Sequence, residues 1–320
     1  MLMVGGFEEP AEAAYPGENG KIVFARFVDG QSDLYAINPD GSGETRITTH
    51  EGNDLYPVVS PNGKKIAFVR NPPGDASEYE ATIFVMKLAP EGKDNRPVRL
   101  TKTGSLFPTF SPDGKKIAFL RYPGSIFGSA EIVVVNAKDG SRKKKLTDDR
   151  TQKSNLAWAP DGRRIAYTSN NRICEEAFCS YNSDQDVFAI NSDGSGPPTN
   201  LTNSPESERS VAFSPDGGQI AFERFFYKPG GNSEHEVLVK DLITGAETNI
   251  SNDPVNSDIQ PAFSPDGTKI VFLGHAGLSD QLEIVITDAA GGSDQTIGSL
   301  AIVGFDSGPD WGPEPTRSRN

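Results

Sequence analysis

The chain has 320 residues, a net charge of −13 and 35% hydrophobic content. That acidity argues against nucleic acid, which is held by neutralising phosphates with Lys and Arg. No run of residues approaches the length of a membrane span, and a chain of this size can bury a large core.

Taken in chain order, residues 1–18 do not share the pattern of the remaining chain. Ala11-Glu12-Ala13-Ala14 has the small-residue character of a signal-peptide end. Met1 to Phe7 is too short for the apolar core of such a peptide. This segment is expected to be a trimmed signal or a flexible leader.

Gly20-Lys21-Ile22-Val23-Phe24 then reads as a strand leaving a turn. From there one phrase recurs. It appears as Val59-Ser60-Pro61-Asn62-Gly63, Phe110-Ser111-Pro112-Asp113-Gly114, Trp158-Ala159-Pro160-Asp161-Gly162, Phe213-Ser214-Pro215-Asp216-Gly217 and Phe263-Ser264-Pro265-Asp266-Gly267. Successive motif prolines are 51, 48, 55 and 50 residues apart, a spacing that marks a repeat architecture. Pro pre-sets φ, Asp or Asn bonds the nearby backbone and Gly accepts the left-handed position, so each phrase predicts a turn between two strands.

A third strand comes next, as in Glu131 to Val135 or Asp186 to Ile190, and a short fourth ends at Leu100-Thr101, Leu146-Thr147 or Leu201-Thr202. Four antiparallel strands per repeat of this length describe a propeller blade. Large residues (Phe110, Trp158, Ile117, Ile165) alternate with small ones (Ala118, Ala157, Ala166, Ala221), so successive blades can interdigitate.

The last copy is incomplete. Pro309-Asp310-Trp311-Gly312-Pro313 supplies the first half of the phrase, and Pro313 lies 48 residues after Pro265. Gly20 to Phe24 supplies the missing second strand. The reading is an all-β, six-bladed β-propeller of four-stranded antiparallel blades. N- and C-terminal strands share one blade, closing the ring over residues 19–314 with a tail at 315–320.

The phrase Phe110-Ser111-Pro112-Asp113-Gly114-Lys115-Lys116-Ile117-Ala118-Phe119, with its closing Pro309 to Pro313, resembles the WD-like repeat of TolB-type β-propellers. Members of that group include the propeller of the periplasmic TolB protein, which docks a lipoprotein partner, and propellers that precede some serine peptidases. The resemblance covers nearly the whole chain but only the propeller part of such proteins. It implies the propeller fold and an exported location; the chain itself is expected to be a monomer with a protein or peptide partner, or a small polar ligand.

Cys174 and Cys179 are the only cysteines. A local disulfide suits an exported protein and two free thiols are the alternative, while a structural metal site needs more ligands. His50, His235 and His275 fall at unrelated positions and read as solvated loop residues. No nucleophile elbow, Walker loop or dinucleotide fingerprint occurs. Asn38 to Ser42 and Asn191 to Ser195 have the look of calcium loops but lack the later bidentate Glu, and read as hairpin turns.

Seven residues before each motif proline stand Asp54, Ser105, Lys153, Glu208, Asp258 and Asp306, predicted to ring one channel mouth. Nine residues after it stand Arg70, Arg121, Ser169, Arg224 and Gly274, with Arg26 equivalent in the split blade. Such positions face each other across a hairpin, which pairs Asp54 with Arg70, Glu208 with Arg224 and Asp306 with Arg26. Opposite Asp258 the sequence places Gly274, which carries no charge.

The ring is either structural or a recognition site built from Asp54, Glu208, Asp258, Asp306, Arg26, Arg70, Arg121 and Arg224. The function expected is noncatalytic binding without a cofactor. The alternative is a metal-assisted hydrolase or lyase, with a cation such as calcium held in the channel by Asp54, Asp258 and Asp306.

Overall fold

The computed structural model describes residues 17–74, 80–88, 96–123, 129–170, 185–227, 233–251, 257–275, 282–292, 294–300 and 307–315. These form 24 strands, β1 to β24, in six four-stranded antiparallel sheets. None of the described residues forms a helix long and apolar enough to cross a membrane.

One sheet is the predicted mixed blade. The C-terminal β24 (Asp310–Pro313) pairs with β1 (Asn19–Val28), followed by β2 (Gln31–Ile37) and β3 (Thr45–Arg46). Its register sets Ile22 opposite Trp311 and Val23 opposite Asp310. Trp311 is buried and its indole N–H donates to the Gly20 carbonyl at 3.2 Å.

The other five blades each begin with a strand at the axis: β4 (Asp54–Val59), β8 (Ser105–Phe110), β12 (Ser154–Trp158), β16 (Ser207–Phe213) and β20 (Ile259–Phe263). Together with β24 these first strands touch one another in a closed ring. Closure turns the short first-strand edges toward the axis, where another chain has little room to extend them.

The recurring phrase has a bonding reason. The Ser111 hydroxyl donates to Asp113 at 2.6 Å and accepts the Lys116 N–H at 2.9 Å, tying the turn to the returning strand. Ser214 with Asp216, and Ser264 with Asp266, repeat the arrangement. The Ser214 hydroxyl and the Gly218 N–H hold the Asp216 carboxyl below its usual range. Gly114 sits at φ 65°, which a side chain would strain.

The Leu-Thr endings have a reason as well. Thr48, Thr101, Thr147 and Thr202 each accept, through Oγ1, the N–H of Leu34, Ile83, Ile132 and Val187 at 2.9 to 3.0 Å. Each thus pins the short outer strand to the third strand and satisfies a backbone donor at the blade's edge.

Between blades the large-small alternation packs as expected. Phe110, Ile117, Trp158 and Ile165 share one buried cluster with residues of the preceding blade, and Phe263, Ile270 and Ala221 share another. Ala157 lies opposite Ala166, and Ala212 opposite Ala221, which lets neighbouring sheets approach.

One device has no counterpart in the repeat pattern. In five first strands the register slips by one residue, at Tyr56, Phe107, Asn155, Ser210 and Gln260. All five have positive φ, between 48° and 57°. Each lies five residues before its motif proline, where the split blade carries Gly308. A bulge of this kind bends a strand and re-aims its side chains. Repeated around the ring, it shapes the channel.

Candidate functional site

On one side of the bulges lies the predicted charged ring. Most of its described members are buried rather than open at a mouth: Asp54 and Glu208 are fully buried, as are Ser105, Lys153 and Asp258 to within 5%, while Arg121 stays partly exposed. Arg70 and Asp54 meet in the predicted register, with Nε–Oδ1 at 2.6 Å and Nη2–Oδ2 at 2.7 Å. The Arg70 guanidinium also stacks over Phe68 and Phe84, at 5.3 and 5.0 Å from the ring centres. Burial pushes the Asp54 carboxyl up, and the two Arg70 bonds oppose that shift.

Arg224 likewise grips Glu208, at 2.6 Å through Nη2, and reaches Glu247 at 2.7 Å through Nη1. Both Arg residues have their fork filled within the blade, and both oxygens of Asp54 are already bonded. Asp54 thus has both carboxylate oxygens engaged by Arg70.

The remaining members find partners the spacing did not name. Arg121, opposite Ser105, bonds Glu131 at 3.2 Å. Arg26 bonds Glu44 through both terminal nitrogens, at 2.6 and 2.7 Å. Its predicted partner Asp306 lies outside the described residues, as do Cys174 and Cys179.

Lys153 is buried where a charged mouth residue was expected. Its ammonium bonds Asp149, Thr151 Oγ1 at 2.6 Å and the Ala130 carbonyl at 3.2 Å. Burial pushes its pKa down and Asp149 opposes the shift. Asp258 lies over Gly274, where a side-chain Cβ would come within 2.7 Å of its Oδ1, so the glycine makes room for the carboxylate. The Asp258 N–H donates to the His235 carbonyl at 2.8 Å.

His235 is a correction to the sequence reading. It stands on β18 (Ser233–Asp241), meets Glu223 at 2.5 Å and packs edge-on against Phe225. His50 does lie in a loop, and its Nδ1 accepts the Gly52 N–H at 2.9 Å. The calcium-like segments are hairpin turns, with Asp40 and Asp193 accepting the N–H of Ser42 and Ser195. Among the described residues no three His, Cys, Asp or Glu side chains converge to hold a metal.

On the other side of the bulges, toward the Ser-Pro-Asp-Gly turns, the axis holds a cavity of about 170 Å³. All six first strands line it, from the bulge residues to the turns, and none of the sequence-predicted ring residues does. Its walls are mostly apolar: Tyr56, Phe107, Val58, Pro57, Pro108, Pro261, Leu156, Trp158 and Trp311. Tyr56 and Phe107 meet with ring centres 4.7 Å apart. Asn155, Ser210 and Gln260 add polar groups, and Asp310 is the one charged residue among the described lining.

In the sequence Asp310 stands within the closing phrase Pro309 to Pro313. The signal was available: three residues before the motif proline the other copies carry Val58, Thr109, Ala157, Ala212 and Ala262. Asp310 is half-buried, and its Oδ2 accepts the Val59 N–H at 2.7 Å. Burial pushes its pKa up to about 6, against the opposing bonds from the Val59 and Trp311 backbone.

No family model matches the chain. Among curated proteins it is 26% identical over 286 residues to Dipeptidyl-peptidase 5 of Porphyromonas gingivalis, covering 75% of this chain and 40% of that protein. It is 36% identical over 149 residues to a Protein TolB homolog of Chlorobium chlorochromatii, covering 47% of this chain and 31% of that protein. The chain therefore spans less than half the length of these curated relatives. Among solved structures, TolB from Acinetobacter baumannii superposes with a TM-score of 0.72 at 21% identity, over 92% of this chain and 67% of that one. In fold, the chain is a TolB-like six-bladed β-propeller.

Proposed function

We propose that this chain is a binding propeller that receives a segment of a protein partner, or a small polar ligand, on the channel axis. The observation that carries this reading is the cavity of about 170 Å³ built from all six first strands. An apolar, preformed recess with a few convergent polar groups is the usual form of a ligand site. The charged ring supports the same reading by contrast. Asp54 with Arg70, and Glu208 with Arg224, form ion pairs within their own blades, so we place recognition at the opposite end of the axis. An exported location, supported by the likeness to TolB, belongs to this proposal. The peptidase name of the Porphyromonas relative is not carried over, since the likeness covers 40% of that protein.

The test is capture from a random peptide library on the immobilised chain, compared with an Ala212→Phe variant that places a ring in the cavity. Ala212 lines the recess at the register position that Asp310 holds in the split blade. The reading expects peptides retained by the native chain and lost by the variant, with both folded by circular dichroism. Equal capture by the two proteins would move binding away from the axis, and no capture at all would end the proposal.

A further inference from the structure

At the register position three residues before the motif proline, the ring's side chains have a common structural task. Thr109 Oγ1 accepts the N–H of Trp158 in the next blade at 3.3 Å. Asp310 Oδ2 accepts the N–H of Val59 in the same way, at 2.7 Å. A hydroxyl therefore suffices for the bond across the seam, and Ala157, Ala212 and Ala262 hold the position without any such group. The carboxylate exceeds what closure of the ring requires.

It is also placed against its own ionisation. Backbone N–H groups are its bonding neighbours, and among the described residues no Lys, Arg or His forms an ion pair with it. Every other described lining residue is uncharged, and the Tyr56 phenol is the only other titratable group among them. Burial holds the carboxyl at about 6, so at neutral pH a mostly ionised group faces an apolar chamber. Perturbed groups in clefts concentrate at functional positions. The aromatic pair Tyr56 and Phe107 stands in the same recess. A carboxylate beside aromatic faces is the chemistry that recognises an organic cation, by ion pairing together with attraction to the ring quadrupoles.

We propose that the axial cavity binds an ammonium-bearing group, with Asp310 as its counter-ion and Tyr56 and Phe107 as its aromatic wall. This rests on the binding reading above and deepens it: the partner presents a lysine side chain, an amino terminus or a small organic amine to the recess. A guest cation supplies the opposite charge that the blade leaves out and reverses the penalty of burying Asp310.

The experiment uses the full chain with 2-phenylethylammonium and its neutral counterpart 2-phenylethanol, titrated by calorimetry and by one-dimensional ligand NMR at pH 8 and pH 5. The cation is expected to bind at least about tenfold more tightly than the alcohol at pH 8. Its affinity should fall by about tenfold at pH 5, where a carboxyl near 6 is mostly protonated. Asp310→Asn should remove the preference for the cation and leave the alcohol unchanged. Asp310→Thr, which copies Thr109, should do the same and guards against a folding defect in the first variant. Equal binding of cation and alcohol, an unchanged preference in both variants, or no binding of either probe would overturn the assignment. If the probes fail while Ala212→Phe still abolishes peptide capture, the axial binding reading stands and only the counter-ion role falls. If both fail, the cavity is not a binding site.

Discussion

Asp310 on the last strand accepts the N–H of Val59 at 2.7 Å, across the seam where the ring closes. The same carboxylate that fastens the seam also lines the axial cavity, so closure and the proposed recognition site share one side chain.

Its burial makes stability depend on pH. The Asp310 carboxyl is pushed from 3.8 to about 6 in the folded chain. Between those values the folded state holds more protons than the unfolded state, so this group's contribution to stability falls as pH rises. Its penalty is complete above about 6 and disappears as pH falls toward 3.8. Asp310→Asn keeps an oxygen acceptor for Val59 and removes the charge. It is expected to stabilise the chain by about 1–3 kcal/mol at pH 8, with a gain that shrinks toward pH 4. Urea denaturation at both pH values reads this directly; a gain independent of pH would contradict the burial argument.

Closure of the ring can be attacked sterically. A Cβ at Gly312 would lie 2.2 Å from Cγ1 of Val59 and 2.6 Å from its Cβ. Gly312→Ala is therefore expected to cost about 1–3 kcal/mol by forcing the closing strand from the second blade. Truncation before Ser307 should cost more, since it also exposes the edge of β1 and removes buried Trp311. A truncated chain that melts like the native one would dissolve the split-blade assignment.

The charged ring predicts unequal losses. Arg70→Ala strands Asp54, which has no exposed surface, and should cost about 3–5 kcal/mol. Arg121→Ala should cost less than about 1 kcal/mol, because Arg121 is 42% exposed and bonds a carboxylate that also holds Lys145. Chemical denaturation of the two variants decides it; equal losses would mean that burial does not set the strength of these pairs.

Much of this fold was written in the repeats. The Ser-Pro-Asp-Gly turns, the blade order and the split blade are legible from spacing, because each turn is fixed by its own side chains. The pairing of Asp54 with Arg70 was also legible, by counting outward from the turn. The bulges were not. Tyr56 and Phe107 adopt positive φ without being Gly, Asn or Asp, so local propensity gives no sign of it.

Arg26 reaches Glu44, and Lys153 reaches Asp149, because long side chains find partners beyond the cross-strand position; the expected partner of Arg26, Asp306, lies outside the described residues. The cavity was hidden with the bulges, since the bulge residues Tyr56, Phe107, Asn155, Ser210 and Gln260 all line it.

Ligands are proposed to enter the axial recess, and the chain carries its own reporter there. Its only two tryptophans, Trp158 and Trp311, both line the cavity. Titrating a peptide captured from the library should change tryptophan emission along a saturating curve whose midpoint matches the affinity measured by capture, and Ala212→Phe should abolish both signals. Capture with full affinity and no change in emission would place the ligand elsewhere on the propeller and rule out binding in the axial recess.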